Sequence, residues 1–337
     1  MIARRDFIHT MAGITAGLML PYKGFSQSTS NDKWGNLLPL RKLGNTGESV
    51  TMLGVGGYHV GWTTEKDAQE VIEAAIEGGI RFFDTAESYA SGESERRYGK
   101  YLVPKYRDQV FLMSKTTAPT AETALRHLEE TLKRLNTDHL DLWQVHALQS
   151  PSDVDNRIAN GIIEAMRKAK ESGKARFVGF TGHQSPYAHL RMLEKTGDQK
   201  LFDTCQFPVN LVDLASQHSF VQKVIPKIQE KGVAILAMKT LADGRFFKNK
   251  MMEGKQVWQT ENPVVPNKVK MEEALYFAWT MPISVLITGA ENAVLIKEKI
   301  ALAHKFAQMS ASEQETLANK LSEIATEGKV EYYKNIL

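Results

Sequence analysis

Short apolar runs and longer amphipathic stretches take turns along this chain. A short apolar run bounded by polar or glycine positions predicts a buried parallel strand, and apolar residues at helical spacing predict a helix. Thr51–Gly56 leads to a helix over Lys66–Glu77, and Ile80–Thr85 leads to one over Glu93–Leu102. Val110–Lys115 leads to Ala121–Leu135, where Leu125, Leu128, Leu132 and Leu135 mark one face. Leu140–His146 leads to a helix over Ile158–Ser172 that stops at Gly173. Ala175–Thr181 leads to Pro186–Lys195, with Pro186 suited to a first helical position. Asp203–Phe207 leads to Gln217–Lys231, ended by Gly232. Val233–Lys239 is followed by the longest irregular stretch, Leu241 to about Val269, and then by a helix over Met271–Thr280. The strand Ile283–Thr288 and the helix Asn292–Ala303 complete eight strand–helix repeats, which predict a (β/α)₈ TIM barrel. A doubly wound sheet is the main rival, but its glycine fingerprint is missing. Leu53–Gly54–Val55–Gly56–Gly57 lacks the third glycine and the downstream acid. Leu40–Met52, turning at Gly44–Asn45–Thr46–Gly47, reads as a β-hairpin, and Ser310–Thr326 as an extra C-terminal helix.

Three consecutive strand ends carry chemistry. The stretch Phe82–Phe83–Asp84–Thr85–Ala86–Glu87–Ser88–Tyr89 runs from a strand into a polar loop, so Asp84 and Tyr89 share one strand-to-helix connection. Such connections are where α/β proteins place their reactive groups. The next strand closes on Lys115 and the one after it on His146. A free tyrosine ionises near pH ~10, so a phenol needs a cation beside it to exchange protons at neutral pH. Each residue alone is ordinary; a carboxylate, a phenol, an ammonium and an imidazole on successive strand ends are not.

Asp84, Tyr89, Lys115 and His146 resemble the catalytic tetrad of the aldo-keto reductase superfamily. The surrounding residues are similar as well: Leu43–Gly44–Asn45–Thr46–Gly47, Phe83–Asp84–Thr85–Ala86 with Tyr89 and Gly92, and Gly289–Ala290. The likeness runs from about Leu40 to about Ala303. It implies a hairpin plugging the N-terminal end of the barrel and hydride transfer between a nicotinamide cofactor and a carbonyl or alcohol carbon. It also implies roles: Tyr89 exchanges the proton, Lys115 lowers the phenol pKa, Asp84 keeps the lysine charged, and His146 orients the substrate oxygen. The implied cofactor set is Gly57, Tyr58 and Asp84; Thr181, Gly182 and His183; Gln206; Met238, Lys239, Thr240, Leu241 and Gly244; and Gly289 with Glu291. Several of these depart from the family pattern. Thr181–Gly182 stands where a Ser–Asn pair is usual, and Met238 where a tyrosine often stacks. Gly289 and Leu295 stand where a lysine and an arginine often clamp the 2′-phosphate of NADP, while Glu291 suits a free ribose hydroxyl. NAD and NADP both stay open, with Lys239, Lys297 and Lys299 as further phosphate partners. The implied substrate pocket is Tyr58, His59, Trp62, Tyr89 and His146, with Thr117–Pro119 and part of the Leu241–Val269 loop (Phe246–Phe247 or Trp258) completing it. Trp143, one residue out of phase with His146, is expected to face a helix. Aromatic walls with few charges suit sugars and medium-sized carbonyl compounds.

Composition is that of an ordinary globular domain, 42% apolar and 24% charged over 337 residues. The N-terminus stands apart. Arg4–Arg5–Asp6–Phe7–Ile8 precedes a mildly apolar, glycine-dotted segment and Pro21, and resembles a twin-arginine export signal. The expected organisation is a signal over residues 1–26 cleaved near Ser26, a linker over 27–38 and the barrel over 39–337. The signal implies the twin-arginine translocation machinery as a partner and a periplasmic location; without it the protein is cytoplasmic. Losing Arg4, Arg5 and Lys23 against Asp6 lowers the net charge from +3 to +1, and no basic tract remains to argue for nucleic acid. Cys205 is the only cysteine, which rules out an intrachain disulfide and a cysteine-bound iron–sulfur cluster; no metal site is expected. A monomer or weak oligomer is expected. An exported reductase is expected to hold its cofactor tightly and recycle it in place, and the alternative is a non-catalytic cofactor-sensing or partner-binding barrel.

Overall fold

A computed structural model describes residues 30–197, 200–242, 246, 249–252, 255–259, 268–326 and 330–334. The paired arginines, the cleavage position near Ser26, Gly244 and Phe247 lie outside the described residues.

The hairpin is antiparallel, β1 (Leu40–Lys42) against β2 (Ser49–Thr51). Eight parallel strands come next: β3 (Leu53–Gly56), β4 (Phe82–Asp84), β5 (Phe111–Thr116), β6 (Leu140–Val145), β7 (Ala175–Thr181), β8 (Thr204–Pro208), β9 (Ala234–Met238) and β10 (Val285–Thr288). They pair in sequence order, and β10 closes on β3 with Ile287 opposite Gly54. The expected TIM barrel is the fold. No edge remains in the closed sheet, so every strand is paired on both sides.

Alternation along the strands separates two cores. Phe82, Phe111, Met113, Leu142, Leu236, Val285 and Ile287 pack inside the barrel, and Leu43 and Val50 of the hairpin close that cluster from below. Phe83, Trp143, Val178 and Cys205 belong to the outer layer, against helix residues such as Leu128, Leu132 and Leu135. Trp143 is wholly buried there. The hairpin is pinned by the Asn45 N–H to the Gly232 carbonyl (3.0 Å) and Ser284 Oγ to the Lys42 carbonyl (2.8 Å).

Helix boundaries obey local signals. Ala121–Leu135 starts where the Thr120 side chain accepts from the Thr123 N–H and ends at Asn136 in the left-handed region. Two helices expected as continuous are broken. Ile158–Ser172 is instead Pro151–Ala159 and Ile162–Glu171, because Gly161 turns left-handed at φ +83°. Gln217–Lys231 is instead Phe220–Lys223 and Ile225–Lys231, with Pro226 in the first turn of the second helix. A short helix not expected, Gly57–Trp62, comes directly after β3. Within the stretch expected to be irregular, Asn249–Met252 pairs antiparallel with Lys255–Gln259. The extra C-terminal helix is Ala311–Thr326.

Residues 30–38, expected as linker, are docked on the barrel's underside. Asn31–Asp32 pairs with Gly35–Asn36, and the Asp32 carboxylate receives Arg81 at 2.6 and 2.8 Å. Leu38 is buried, with its N–H on the Gly79 carbonyl at 3.0 Å.

Candidate active site

Each strand brings one inward-facing position, on the strand or just past its end, to the same rim. Gly56, Asp84, Lys115, His146, Thr181, Gln206, Met238 and Gly289 all line one cavity of about 950 Å³ at the C-terminal face. The layer beneath them carries no charge: it is apolar apart from Gln144, whose Nε2 donates to Thr204 Oγ1 at 2.9 Å.

Lys115 is the hub. Its Nζ donates to Asp84 Oδ1 (2.8 Å), to the Thr85 carbonyl (2.8 Å) and to the Tyr89 hydroxyl oxygen (3.1 Å). An ammonium has three N–H donors, and all are engaged. Asp84 also accepts from Gln206 Nε2 (3.2 Å) and from the Gly57 N–H. Burial pushes the Asp84 carboxyl up and the Lys115 ammonium down, each opposed by its partner. With every donor and acceptor of the contact satisfied, the pair holds its charges.

The phenol does not behave as the resemblance implies. Burial pushes Tyr89 well above its ordinary value, and the Asp84 carboxylate adds to the rise. The lysine charge 3.1 Å away favours the phenolate, but burial and the carboxylate outweigh it. Tyr89 therefore keeps its proton at neutral pH. Because its oxygen already accepts from Lys115, that proton points away from the lysine.

His146 stands beyond β6 with its ring 5.7 Å from that of Tyr89, edge-on. Burial first, then the charges of Lys115, His183 and Arg157, hold its pKa well below the usual value. The imidazole is neutral and has one N–H to give a substrate oxygen.

The turn that carries Tyr89 is strained. Ala90 (φ 48°), Ser91 (φ 55°) and Gly92 (φ 84°) are successively left-handed before the helix Glu93–Tyr101 begins. Each non-glycine residue there costs about 1–2 kcal/mol, and such conformations persist only where neighbours hold them.

Tyr58, His59, Thr181, Gly182, His183, Met238, Lys239, Thr240, Leu241, Gly289 and Glu291 also line the cavity, as does Thr117. Gly57 does not; it sits behind Asp84, against that residue's carbonyl. Trp62, 47% exposed, stands outside the cavity with its ring 6.2 Å from Tyr58, one helical turn away. Ala118 is buried, Pro119 is exposed, Lys297 points to solvent, and buried Phe246 is absent from the lining. Lys299 is buried against the cavity and donates to the Gly289 carbonyl.

Sequence reasoning missed the tail. Residues 330–334 close one side, with Tyr332 in the lining. The Tyr333 hydroxyl donates to Glu331 Oε1 (2.9 Å) and accepts from Asn210 Nδ2 (3.0 Å), while its ring lies 5.7 Å from His183 and 4.9 Å from Lys239 Nζ. Lys334 Nζ reaches Asp213 Oδ1 and Glu331 Oε2, both at 2.5 Å. The aromatic pair Tyr332–Tyr333 is the only signal of this in the sequence.

The residues fit a nicotinamide dinucleotide. Gln206 Oε1 and Thr240 Oγ1 are buried polar atoms without a hydrogen-bond partner, which suits an amide and a phosphate. A Cβ at Gly289 would lie 1.9 Å from His59 Nδ1, so only glycine keeps that wall open. Residues 52–335 match the model of the aldo/keto reductase family. The chain belongs to that family. Among its relatives, L-galactose dehydrogenase of Arabidopsis thaliana is 27% identical over 83% of this chain and 92% of its own length. Methylglyoxal reductase YeaE of Escherichia coli is 28% identical over 61% of this chain and 69% of its own. The fold of aldo-keto reductase AKR11C1 from Bacillus halodurans, holo form, superposes with a TM-score of 0.69 at 21% identity, covering 84% of this chain and 96% of that one. This aldo/keto reductase is thus an NAD(P)-dependent oxidoreductase acting on carbonyl and alcohol groups.

Behind the cavity wall, His189 packs with Nδ1 3.3 Å from the Ser185 carbonyl and Nε2 3.3 Å from that of Gln206. Burial lowers its pKa from 6.5 to about 4. Below pH 6.5 the unfolded chain takes up a proton that the folded reductase refuses until about pH 4. Stability is therefore complete above that window and falls through it as pH drops, by up to about 3 kcal/mol. Urea unfolding across this range should give a shallower slope for His189→Gln; an unchanged slope assigns the acid sensitivity to other groups.

Proposed function

We propose that this reductase converts the carbonyl of a neutral, polyhydroxylated small molecule of the sugar class to an alcohol, with NAD(H) as the preferred cofactor. The observation that carries the chemistry is the hydrogen-bond arrangement at Lys115. With its three donors on Asp84, Thr85 and the Tyr89 oxygen, the phenol proton is left for a ligand in the cavity. Tyr89 protonates the developing alkoxide, and the neutral His146 ring gives its N–H to the same oxygen and orients it. The nicotinamide, when bound, supplies the hydride. Gln206, Thr240 and Thr181 would hold its amide and phosphate groups, with Met238 against the ring.

Substrate class rests on the rim. Tyr58 (44% exposed) and Tyr332 (45%) offer aromatic faces to a sugar ring, while Ser88 and Thr117 offer uncharged hydrogen-bonding groups. The relation to L-galactose dehydrogenase supports the same reading. Glu291, 3.5 Å from His59, favours a free ribose hydroxyl over a phosphate beside it. The twin-arginine-like leader supports export with the cofactor already loaded and retained. The test is a panel of aldoses, ketoses and simple aldehydes with NADH and NADPH, on protein purified from the periplasm. Sugar-dependent NADH oxidation and nicotinamide absorbance in the protein as purified are expected. Turnover of small unsubstituted aldehydes alone removes the sugar assignment, and a cofactor-free protein removes the retention.

A further inference from the structure

We propose that Glu87 is a positioning residue, a clamp that keeps the Tyr89 turn in its strained form and so fixes the phenol on Lys115. This rests on the reductase reading above. Glu87 stands midway between Asp84 and Tyr89 on the same connection, and its side chain is 9% exposed. Its Oε1 accepts from both the N–H and the hydroxyl of Thr117, each at 2.8 Å. Its Oε2 lies 2.6 Å from Nδ1 of His127, on the helix after β5. A single carboxylate therefore bridges the β4 connection to the end of β5, two residues beyond Lys115.

That bridge matters because the backbone just beyond Tyr89 is under strain. Three successive left-handed residues, two of them non-glycine, push the turn toward other conformations. Among the described residues, the other polar ties on the segment 86–92 stay within the turn, as the Glu93 N–H does on the Tyr89 and Ala90 carbonyls, or are exposed or long. The Tyr89 N–H reaches only the Ala86 carbonyl within its own turn (3.1 Å), and Arg96 meets the Ser91 carbonyl at 3.1 Å in an exposed contact. The Glu87 N–H to the Lys115 carbonyl is long, at 3.5 Å. Without Glu87, the phenol is left with the Lys115–Tyr89 hydrogen bond at 3.1 Å and the edge-on rings of Tyr58 and His146 at 5.5 and 5.7 Å, none of which ties the backbone of the turn. A proton donor displaced by an ångström loses much of its effect.

The geometry separates reach from charge. Glu87→Gln keeps an oxygen for both Thr117 donors, whereas Glu87→Asp keeps the charge and falls one methylene short. Kinetics of the full chain should show kcat lowered about 30- to 100-fold in Glu87→Ala and at least about 10-fold in Glu87→Asp, with Glu87→Gln close to wild type. The KM for the cofactor, which is held from β7 to β10, should stay within about twofold in all three. Amide hydrogen exchange over residues 86–92 should speed up in the Ala and Asp variants and not in Gln. Exchange needs no substrate, so it judges the clamp even if Glu87→Ala folds poorly, because Asp and Gln remain to be compared. Equal losses in Asp and Gln, or unaltered kcat and exchange in Ala and Asp, overturn the proposal. A wild type that binds NAD(P)H and reduces no carbonyl removes the reductase reading instead and leaves the exchange result to stand.

Discussion

Tyr89→Phe should lower the rate of carbonyl reduction by about 10³-fold while leaving NAD(P)H affinity within about twofold. The substitution removes one hydroxyl, and that hydroxyl is the proton donor. It sits 3.1 Å from Lys115, accepts from it, and keeps its own proton because burial and Asp84 both hold the pKa high. The cofactor-facing groups, Gln206 and Met238 on other strands and Thr240 just past one, are not moved. Single-turnover kinetics with a bound cofactor separate the outcomes. A variant that binds normally and fails only in the chemical step fits; one with normal turnover removes Tyr89 from the reaction. A pH profile adds a second check. In the wild type reduction should hold level through neutrality and decline only on the alkaline side, since the phenol's raised pKa keeps the donor form populated.

Lys115→Met should cost about 3–5 kcal/mol of stability, the usual penalty for stranding one member of a buried ion pair. Both side chains of this pair are almost inaccessible, 1% and 2% exposed. With the ammonium gone, Asp84 keeps only Gln206 and the Gly57 N–H, and the Thr85 carbonyl loses its donor. Turnover should fall with stability, so the decisive measurement is the double variant. Lys115→Met with Asp84→Asn should recover most of the denaturant midpoint and none of the activity, because it removes the buried charge without restoring the group that holds the phenol. A single variant as stable as wild type would mean that the pair does not carry its charges in the folded protein.

Much of this is visible in the chain. Ala121–Leu135 is legible to the residue because a threonine cap, a four-leucine face and an asparagine stop all act locally. Asp84, Lys115 and His146 stand out because each interrupts an apolar run where a buried strand surfaces. What sequence hides is distance. The break at Gly161 is signalled only by the dipeptide Asn160–Gly161, and the apolar positions on both sides of it still read as one helical face. The net shift of Tyr89 is upward where the resemblance implies a lowered phenol, since nothing along the chain says that the phenol is buried or that Asp84 stands close enough to add to the rise. Asp213, Glu331 and Lys334 lie more than a hundred positions apart at their widest, and no local pattern joins them.

That last cluster has a bearing on how the protein is made. Strands β3 to β10 can close on one another while the tail is still inside the ribosome, and Tyr332 and Tyr333 emerge after every one of them. Biosynthesis thus delivers the scaffold first and seals the pocket last. A chain released short of Val330 lacks Tyr332 and the ties of Glu331 and Lys334 to Asn210 and Asp213, and leaves that side of the cavity unwalled.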